Sequence, residues 1–325
     1  MMNKIYRYLM PVITVVVLVL SACSVNPSPE PVSQASTAAE QPEKWVLYAP
    51  ASSSSIPIIL AAEELGNVEL TLYTSQEQAS TLFARGDVDM LVTGLSVGFK
   101  LFTNDVPLQM VNTNVSGLSY LVTDGTAPAS FADLKGSKVT VPFAGSPIEE
   151  VCIYLAEKEG LKWGTDIVPV YAPFESSITL LKQGQAGAVV LPEPSVSMVE
   201  GQPGVQVGFS LYDLWNRYNP NSQGYPQVGT FARSEWVENH PEELAAFHAA
   251  LENALALIET SPAQAVEQVS GRFKMPAAVL EKALSRTYYR LYTGADMRSY
   301  VQDYYQTIGK PIDEKFAGIY FIAEK

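Results

Sequence analysis

Two short segments combine hydroxyl groups with free backbone N–H groups and could bind a polar solute. They are Ser52–Ser55, followed by Pro57, and Gly145-Ser146-Pro147; a proline in such a place is typical of the first turn of a helix. Hydroxyls and free N–H groups at the positive end of a helix bind polar or anionic groups. Simple capping, the alternative, needs only one serine. We therefore predict ligand contacts from Ser53, Ser54, Ser55, Gly145, Ser146 and Pro147.

Two tyrosines, each followed by a glutamate, could recognise a flat ring. The pairs are Tyr73 with Glu77 and Tyr171 with Glu175. Opposed tyrosine rings can sandwich an aromatic ligand, and the alternative is two core aromatics with two solvated helix starts. Glu193, which lies between two prolines, is the acidic residue most expected inside a binding site. The predicted ligand residues of this group are Tyr73, Tyr171, Glu175 and Glu193.

Five further ligand residues are predicted from their positions, and these are Gly94, Leu95, Asn112, Asn114 and Tyr225. Gly94 and Leu95 follow a predicted strand, where glycine would equally permit a tight turn. The asparagines are assigned to a loop after an apolar strand, and Tyr225 precedes a predicted return strand. None of the candidate turns contains Arg or Lys. This favours a neutral, cationic or heterocyclic ligand over a bare oxyanion, although helix N-termini also bind anions without basic side chains.

Gly94-Leu95-Ser96-Val97-Gly98 matches the Gly-x-Ser-x-Gly pattern of a nucleophile elbow, so a surface hydrolase that uses Ser96 is an alternative. Asp213 and either His240 or His248 follow in a suitable order. The pattern is short, however, and the internal repeat of this chain has no counterpart in a hydrolase sheet. We therefore predict that the protein is not an enzyme and assign no catalytic residue.

The composition argues against metal and nucleic-acid binding. The two histidines and the two cysteines, Cys23 and Cys152, form no cluster with metal-ligand spacing, so we predict no metal site and no cofactor. Nucleic-acid binding needs clustered Lys and Arg, whereas the formal net charge here is −13. Cys152 lies in an apolar helical stretch, which is typical of a core residue.

An internal repeat predicts the elements that position these residues. Residues 68–92 and 166–190 align without a gap, and each copy reads as strand, helix and strand after an earlier strand and helix. Strands that alternate with helices predict parallel βαβ units, here in two lobes. The predicted strands are 45–48, 68–73, 90–93, 138–141, 167–171 and 188–191, and the predicted helices are 57–65, 76–84, 147–159 and 176–183. A strand at 228–233 and a long helical region from 234 to 325 follow.

The amino terminus predicts secretion and a lipid anchor. Two basic residues precede an apolar run, Tyr8–Leu20, that is too short for a membrane span but suits a secretory signal. Leu20-Ser21-Ala22-Cys23 resembles the lipobox of bacterial lipoproteins, which implies cleavage before Cys23 and lipidation of its sulfur. The alternative is an ordinary signal peptide with a chance cysteine. We predict a signal peptide at 1–22 and, from its Pro, Ser and Ala content, a flexible tether at 23–43.

Four segments between residues 45 and 325 carry a resemblance to a known family. The first is a helix with Gly-Asp-x-Asp followed by Thr-Gly, at Leu82–Asp89 with Thr93-Gly94. The second is an Asp-Leu-Lys-Gly motif at Asp133–Val139. The last two are a strand that ends in Glu-Pro, at Gly184–Pro194, and a return segment at Phe231–Pro241. In order and spacing they resemble the type II periplasmic solute-binding proteins of ABC importers. The group concerned serves nitrate, alkanesulfonates and thiamine-pyrimidine precursors.

The resemblance implies an α/β fold of two doubly wound lobes joined by a two-segment hinge, with extra C-terminal helices. The first lobe would comprise residues 44–123 and 228–325, and the second lobe residues 124–227. The crossings would lie near 120–128 and 225–233. A solute would bind in the cleft between the lobes as they close around it.

The resemblance also implies a function. The chain would be a monomeric, lipid-anchored protein of the cell envelope that captures a small molecule and delivers it to an ABC permease and its ATPase. Two alternatives remain open at this point: a lipoprotein hydrolase that uses Ser96, and a signalling lipoprotein with a degenerate cleft.

Overall fold

Residues 43–222 and 224–323 are described by a computed structural model. The predicted signal peptide, Cys23 and all but the last residue of the predicted tether lie outside the described residues. Within the two described ranges, no helix has the length and apolar character needed to cross a membrane.

The first part of the described chain alternates strands with helices, as the repeat predicts. Its elements are β1 (Trp45–Pro50), α1 (Ile56–Leu65), β2 (Val68–Tyr73), α2 (Gln76–Arg85), β3 (Met90–Gly94), α3 (Leu95–Thr103) and β4 (Leu108–Val115). Pro57 lies in the first turn of α1, where its missing N–H leaves no helical hydrogen bond unmade. Gly86 ends α2 in a left-handed conformation with φ of 91°. The predicted strands and helices of this part are confirmed to within two residues.

The middle part repeats that alternation and adds elements outside the repeat. Its elements are β5 (Ser119–Asp124), β6 (Lys138–Val141), α4 (Pro147–Lys158), β7 (Val168–Tyr171), α5 (Phe174–Lys182), β8 (Ala188–Pro192), α6 (Ser195–Val199), β9 (Val205–Ser210) and α7 (Leu211–Tyr218). Ser146 caps α4, because its hydroxyl accepts the N–H of Glu149. The predicted elements between 138 and 191 are confirmed, whereas β5, α6, β9 and α7 were not predicted.

The last part is mainly helical but contains two strands. Its elements are β10 (Val228–Arg233), α8 (Ser234–Asn239), α9 (Pro241–Thr260), α10 (Pro262–Val269), α11 (Ala277–Ser285), β11 (Tyr289–Thr293) and α12 (Gly294–Thr307). The predicted strand at 228–233 is confirmed. The prediction of one helical region from 234 to 325 is wrong, because β11 pairs with β4 at the edge of a sheet.

The strands form two mixed sheets. The six-stranded sheet has the order β11-β4-β10-β3-β1-β2, and the five-stranded sheet has the order β7-β6-β8-β5-β9. In each sheet three strands are parallel, β2-β1-β3 in one and β7-β6-β8 in the other. An antiparallel strand follows in both, β10 beside β3 and β5 beside β8. The two parallel cores correspond to the two copies of the sequence repeat.

The antiparallel strand beside each parallel core, β10 in one sheet and β5 in the other, is the first strand that the chain forms after it crosses from the other sheet. We call the six-stranded sheet with its helices the first lobe and the five-stranded sheet with its helices the second lobe. The first crossing lies between β4 and β5, at residues 116–118, and not near 120–128 as predicted. The predicted boundary at residue 124 divides β5, whereas strand pairing assigns the whole of β5 to the second lobe.

A histidine is packed between α9 and the first sheet. His248 lies on α9, and its Nε2 has no hydrogen-bond partner among the described residues. Burial lowers the pKa of His248 to about 4, and a hydrogen bond to the backbone of Val111 only partly opposes this shift. The folded protein therefore holds this imidazole in its neutral form at neutral pH.

His248→Gln should make the fold less sensitive to acid. Because the folded pKa of His248 lies below its value in the unfolded chain, the unfolded state binds the extra proton between about pH 6.5 and pH 4. Stability from this group is complete above that window and falls as the pH falls through it, by at most about 3 kcal/mol. Urea unfolding at pH 7 and pH 4 measures the effect. If wild type and His248→Gln lost the same unfolding free energy between pH 7 and pH 4, the burial of His248 would be contradicted.

Candidate functional site

The ends of β1, β3, β6 and β8 meet where the two lobes touch. Ser53 donates from its N–H and its hydroxyl to the carbonyl of Glu193, both at 3.2 Å. The hydroxyl of Ser96 donates to the first carbonyl of the turn Gly145–Pro147 at 2.9 Å. A Cβ added to Gly94 would lie 2.5 Å from the proline of that turn. Turns beyond the carboxyl ends of parallel strands thus contact one another across the lobes, at what we call the interlobe face.

The serine run forms a buried turn between β1 and α1. Ser53–Ser55 is a 3-10 turn whose three serines are all buried. Their hydroxyls bind Thr287 Oγ1, Ser52 Oγ and the carbonyl of Pro50, at 2.6, 2.6 and 2.5 Å. Within the described chain none of these hydroxyls caps α1. The hydroxyls therefore fix the turn at the interlobe face, and simple helix capping does not explain them.

Asn112 and Asn114 lie inside β4, which corrects their predicted position in a loop. The strand continues to Val115 because β10 and β11 pair with its two edges. Asn114 Nδ2 donates to the carbonyl of Ser54 at 3.1 Å. Both amide atoms of Asn112, Oδ1 of Asn114 and the hydroxyl of Thr230 opposite Asn112 find no hydrogen-bond partner in residues 43–222 and 224–323. Unpaired buried polar atoms cost free energy, so these are candidates for binding a polar solute.

Glu193 follows β8 as a fully buried carboxylate, with 0% of the residue exposed. Its Oε2 accepts the N–H of Ser197 at 3.1 Å, and its Oε1 lies 3.6 Å from Nη1 of Arg286. Burial raises the pKa of this carboxyl, while the N–H of Ser197 and the charge of Arg286 oppose the rise. Groups from both lobes therefore surround one buried acid.

Arg286, which the sequence did not suggest, lies beside Glu193 and connects it to two further charged residues. Arg286, just after α11, donates two hydrogen bonds to Glu200 at 2.8 and 3.1 Å, and Lys282 also contacts Glu200. The hydrogen bond from Arg286 is the main cause of a lowered pKa of Glu200. Arg286 and Glu200 are 86 residues apart, so no local spacing could have linked them. We call Glu193, Glu200, Lys282 and Arg286 the interlobe ion cluster.

Tyr225 lies in an aromatic cluster between the lobes. It is 1% exposed, and its ring centroid is 5.3 Å from that of Trp215 in α7 and 6.3 Å from that of Tyr304 in α12. Burial raises the pKa of the Tyr225 hydroxyl, which has no hydrogen-bond partner in the described part of the chain. Its ring therefore contacts both lobes, and its hydroxyl is a further candidate for binding a polar solute.

Gly117 lies in the first crossing and Gly224 in the second, which connects α7 to β10, and both contact the side chain of one tyrosine. Gly117 and Gly224 have φ of 153° and 90°, and Cβ atoms there would lie 2.8 and 2.4 Å from Tyr212. The ring of Tyr212 stacks on that of Tyr288 in the first lobe, with centroids 3.6 Å apart. Backbone hydrogen bonds also join the two crossing segments. The crossings therefore form one hydrogen-bonded hinge, and only glycine fits beneath Tyr212.

Tyr73 and Tyr171 each bind within their own lobe. The hydroxyl of Tyr73 donates to the carbonyl of Val92 at 2.9 Å, whereas Tyr171 is 49% exposed and donates to Glu149 at 2.7 Å. No contact in the described residues brings the two rings together. Glu175 is exposed on α5, away from these contacts. The geometry thus gives no support to the proposed sandwich of a flat ring.

Glu149 is a buried residue of the second lobe that sequence reasoning missed. Its carboxylate accepts hydrogen bonds from Trp163 Nε1 at 3.0 Å, from Tyr171 at 2.7 Å and from the N–H of Gly145 at 2.6 Å. It therefore holds the turn that begins at Gly145 against the second lobe. Its position three residues after Ser146, in the first turn of α4, was the signal available in the sequence.

The residues of the hydrolase alternative are not brought together. Ser96 donates its hydroxyl to a backbone carbonyl, and Asp213 accepts from the hydroxyl of a tyrosine. His240 stacks on a tryptophan, and His248 is packed against β4. A nucleophile needs a base within hydrogen-bond reach, and this arrangement provides none for Ser96. Among the residues described, no group of three or more His, Cys, Asp or Glu could hold a metal ion.

Gly224→Ala should destabilise the fold more than Gly125→Ala. Both glycines have positive φ, but a Cβ at Gly224 would meet Tyr212 at 2.4 Å and the carbonyl of Ser116 at 2.6 Å, whereas nothing lies within 4 Å at Gly125. Backbone strain should cost about 1 kcal/mol at both positions, and the collision about 2 kcal/mol more at Gly224. Urea unfolding followed by tryptophan fluorescence measures the difference. Equal losses of unfolding free energy in Gly224→Ala and Gly125→Ala would contradict the close contact between Gly224 and Tyr212.

One protein-family model matches the chain. The family is described as NMT1/THI5 like, and the match covers residues 61–265, more than half of the chain. The matched range includes most of the first sheet and all of the second. A search of curated protein sequences finds no match.

Three solved structures share the fold at low sequence identity. The periplasmic aliphatic sulphonate binding protein SsuA of Escherichia coli is 20% identical, with a TM-score of 0.67 over 83% of this chain and 86% of that one. The alkanesulfonate-binding protein SsuA of Xanthomonas axonopodis pv. citri, bound to MOPS, is 17% identical, with a TM-score of 0.69 over 88% and 100%. The periplasmic nitrate-binding protein NrtA of Synechocystis PCC 6803 is 16% identical, with a TM-score of 0.65 over 81% and 80%. These likenesses confirm the predicted α/β fold class.

Proposed function

The chain belongs to the NMT1/THI5-like family, and we propose that it is the solute-binding component of an ABC import system. Its structural neighbours are periplasmic binding proteins, and together with the family they support a solute-binding role in the cell envelope. Delivery of the solute to a permease and its ATPase is part of the proposal. We further propose that the protein acts as a monomer.

The observation that carries the proposal is the composition of the interlobe face. The strand-end turns of both lobes contact one another there, and Asn114 donates to the serine turn. Oδ1 of Asn114 and both amide atoms of Asn112, two residues earlier in β4, have no hydrogen-bond partner in the described part of the chain. Hinge motion about the two crossing segments would open this face. A solute bound between the lobes would then supply hydrogen bonds that these atoms lack when the lobes contact directly.

The proposed ligand contacts are the predicted residues at the interlobe face. They are Ser53, Ser54, Ser55, Gly94, Leu95, Asn112, Asn114, Gly145, Ser146, Pro147, Glu193 and Tyr225. The candidate turns contain no Arg or Lys, which favours a neutral, cationic or heterocyclic solute. The names of the neighbours describe sulphonate and nitrate binding, so the proposed solute differs in charge from theirs.

Asn112→Leu should abolish solute binding without loss of fold stability. The Asn112 amide has no partner in the residues that the structure describes, so an apolar group of similar size removes only an unpaired polar group. The solute is first identified by mass spectrometry of small molecules released from protein purified from its own cells. Its thermal shift is then measured on wild type, Asn112→Leu and the control Asn253→Ala, whose exposed amide on α9 binds Glu64.

Wild type and the control should be stabilised by about 2.7 kcal/mol at a hundredfold excess of solute over Kd, and Asn112→Leu by much less. Release of no solute from the native protein, with no thermal shift from any cell-extract fraction, would contradict the solute-binding role. An equal shift in Asn112→Leu would remove Asn112 from the site.

We also propose that lipid on Cys23 anchors the protein, with residues 24–43 as its tether. Cys23→Ser should move the protein from the membrane fraction to the soluble fraction and abolish labelling with radioactive palmitate. Cys152→Ser is the matched control, because Cys152 is a buried core residue and its loss should leave fractionation unchanged. Retention of Cys23→Ser in the membrane fraction would argue for another mode of attachment.

A further inference from the structure

Charged residues around Glu193 limit which solutes the interlobe face can accept. The turns themselves contain no basic residue, but Arg286 and Lys282 reach the face from α11 and the residue after it. On the basis of the proposed solute-binding role, we infer that the cleft selects an uncharged polar solute. The geometry assigns this selectivity to Arg286 and Lys282, which neutralise Glu193 and Glu200.

The Arg286 guanidinium is already engaged end-on by a carboxylate of the same chain. Its two terminal nitrogens both bind Glu200, at 2.8 and 3.1 Å, and Nη1 also lies 3.6 Å from Glu193. A bidentate guanidinium–carboxylate pair is among the strongest side-chain contacts. To bind these two nitrogens end-on, a sulfonate or nitrate would have to displace a carboxylate that the same chain holds in place. The charge of Lys282 is likewise paired with Glu200.

A cationic solute is disfavoured because Arg286 already lies next to the acid that would attract it. Glu193 is the buried acid that would attract it, yet Arg286 already lies beside the carboxylate oxygen that accepts no hydrogen bond. A second cation at that oxygen would be repelled by the guanidinium. The interlobe ion cluster holds two acids and two bases, so its formal charge is zero. Neither sign of solute charge meets an excess of the opposite charge in it.

Two further buried acids near the contact between the lobes also have partners. Glu150 accepts a hydrogen bond from Lys310 at 3.1 Å across the lobes. Glu149 accepts three hydrogen bonds from its own lobe. Lys310 thus offsets the charge of Glu150, and of these two carboxylates only Oε2 of Glu150 lacks a hydrogen-bond partner among the described residues.

Uncharged polar atoms of β4, β10 and Tyr225 that have no hydrogen-bond partner among the described residues match an uncharged solute. Asn112 offers a donor and an acceptor, Asn114 offers an acceptor, and Thr230 and Tyr225 offer hydroxyls. Amides, hydroxyls and unprotonated ring nitrogens complement such a set without adding charge. Burying a charged group without a partner is costly, so the same set discriminates against ions.

Charge-swapping variants test the inference. Glu193→Gln gives the cluster one excess positive charge, and Arg286→Met gives it one excess negative charge. Isothermal titration of the full-length protein at constant ionic strength uses ethanesulfonate as the anionic probe and choline as the cationic probe. Glu200→Gln is a second variant with excess positive charge that leaves Glu193 in place. Lys315→Met, in an exposed ion pair with Asp313 away from the cluster, is the control.

We expect ethanesulfonate to bind Glu193→Gln or Glu200→Gln at least tenfold more tightly than wild type, and choline to bind Arg286→Met at least tenfold more tightly. The control should match wild type. Unchanged affinities in all variants, including no detectable binding in any, would overturn the inference. The inference would also be overturned if wild type bound ethanesulfonate as tightly as Glu193→Gln or Glu200→Gln, or choline as tightly as Arg286→Met. The solute-binding role itself fails on a separate result, the absence of any solute released from the native protein.

Discussion

A carboxylate without solvent contact must be hydrogen bonded or paired, and Glu193 meets this requirement where the two lobes touch. Ser197 of its own lobe donates to one carboxylate oxygen, Arg286 of the first lobe approaches the other, and Ser53 binds its backbone carbonyl. Separation of the lobes would remove the last two contacts together. The relative position of the two sheets is therefore coupled to the environment of one acidic side chain.

Apolar packing supports the same arrangement. One continuous hydrophobic cluster includes residues of α3 and α12 in the first lobe and of α4 and α7 in the second. Trp215, Tyr225 and Tyr304 form its aromatic part between the lobes, with Tyr212 against the hinge glycines. Opening would expose part of this area at about 25 cal/mol per Å². The binding free energy of the proposed solute would have to offset that cost.

The parallel core of each sheet was predictable because apolar strands alternating with helices are a local property of the chain. The strand β11 was missed, since a short strand among helices has no distinguishing local pattern and depends on pairing with β4. In the site, the strand-end rule located the serine turn and Glu193 at the interlobe face. Tyr171 also ends a strand, but its hydroxyl binds Glu149 of its own lobe, and the strand-end rule does not specify which neighbour a side chain contacts. Arg286 was beyond prediction, since its partners are distant in sequence.

The place of β10 between β3 and β4 has a consequence for folding. During synthesis from the amino terminus, β3 and β4 emerge early, but the strand that must lie between them follows the whole second lobe. Until then both strands have an unpaired edge, and the sheet cannot be completed from nearby residues. Such long-range pairing gives a high contact order and slow formation. The first lobe cannot mature as an independent unit before the second has been made, so the two halves of this protein acquire their native structure together.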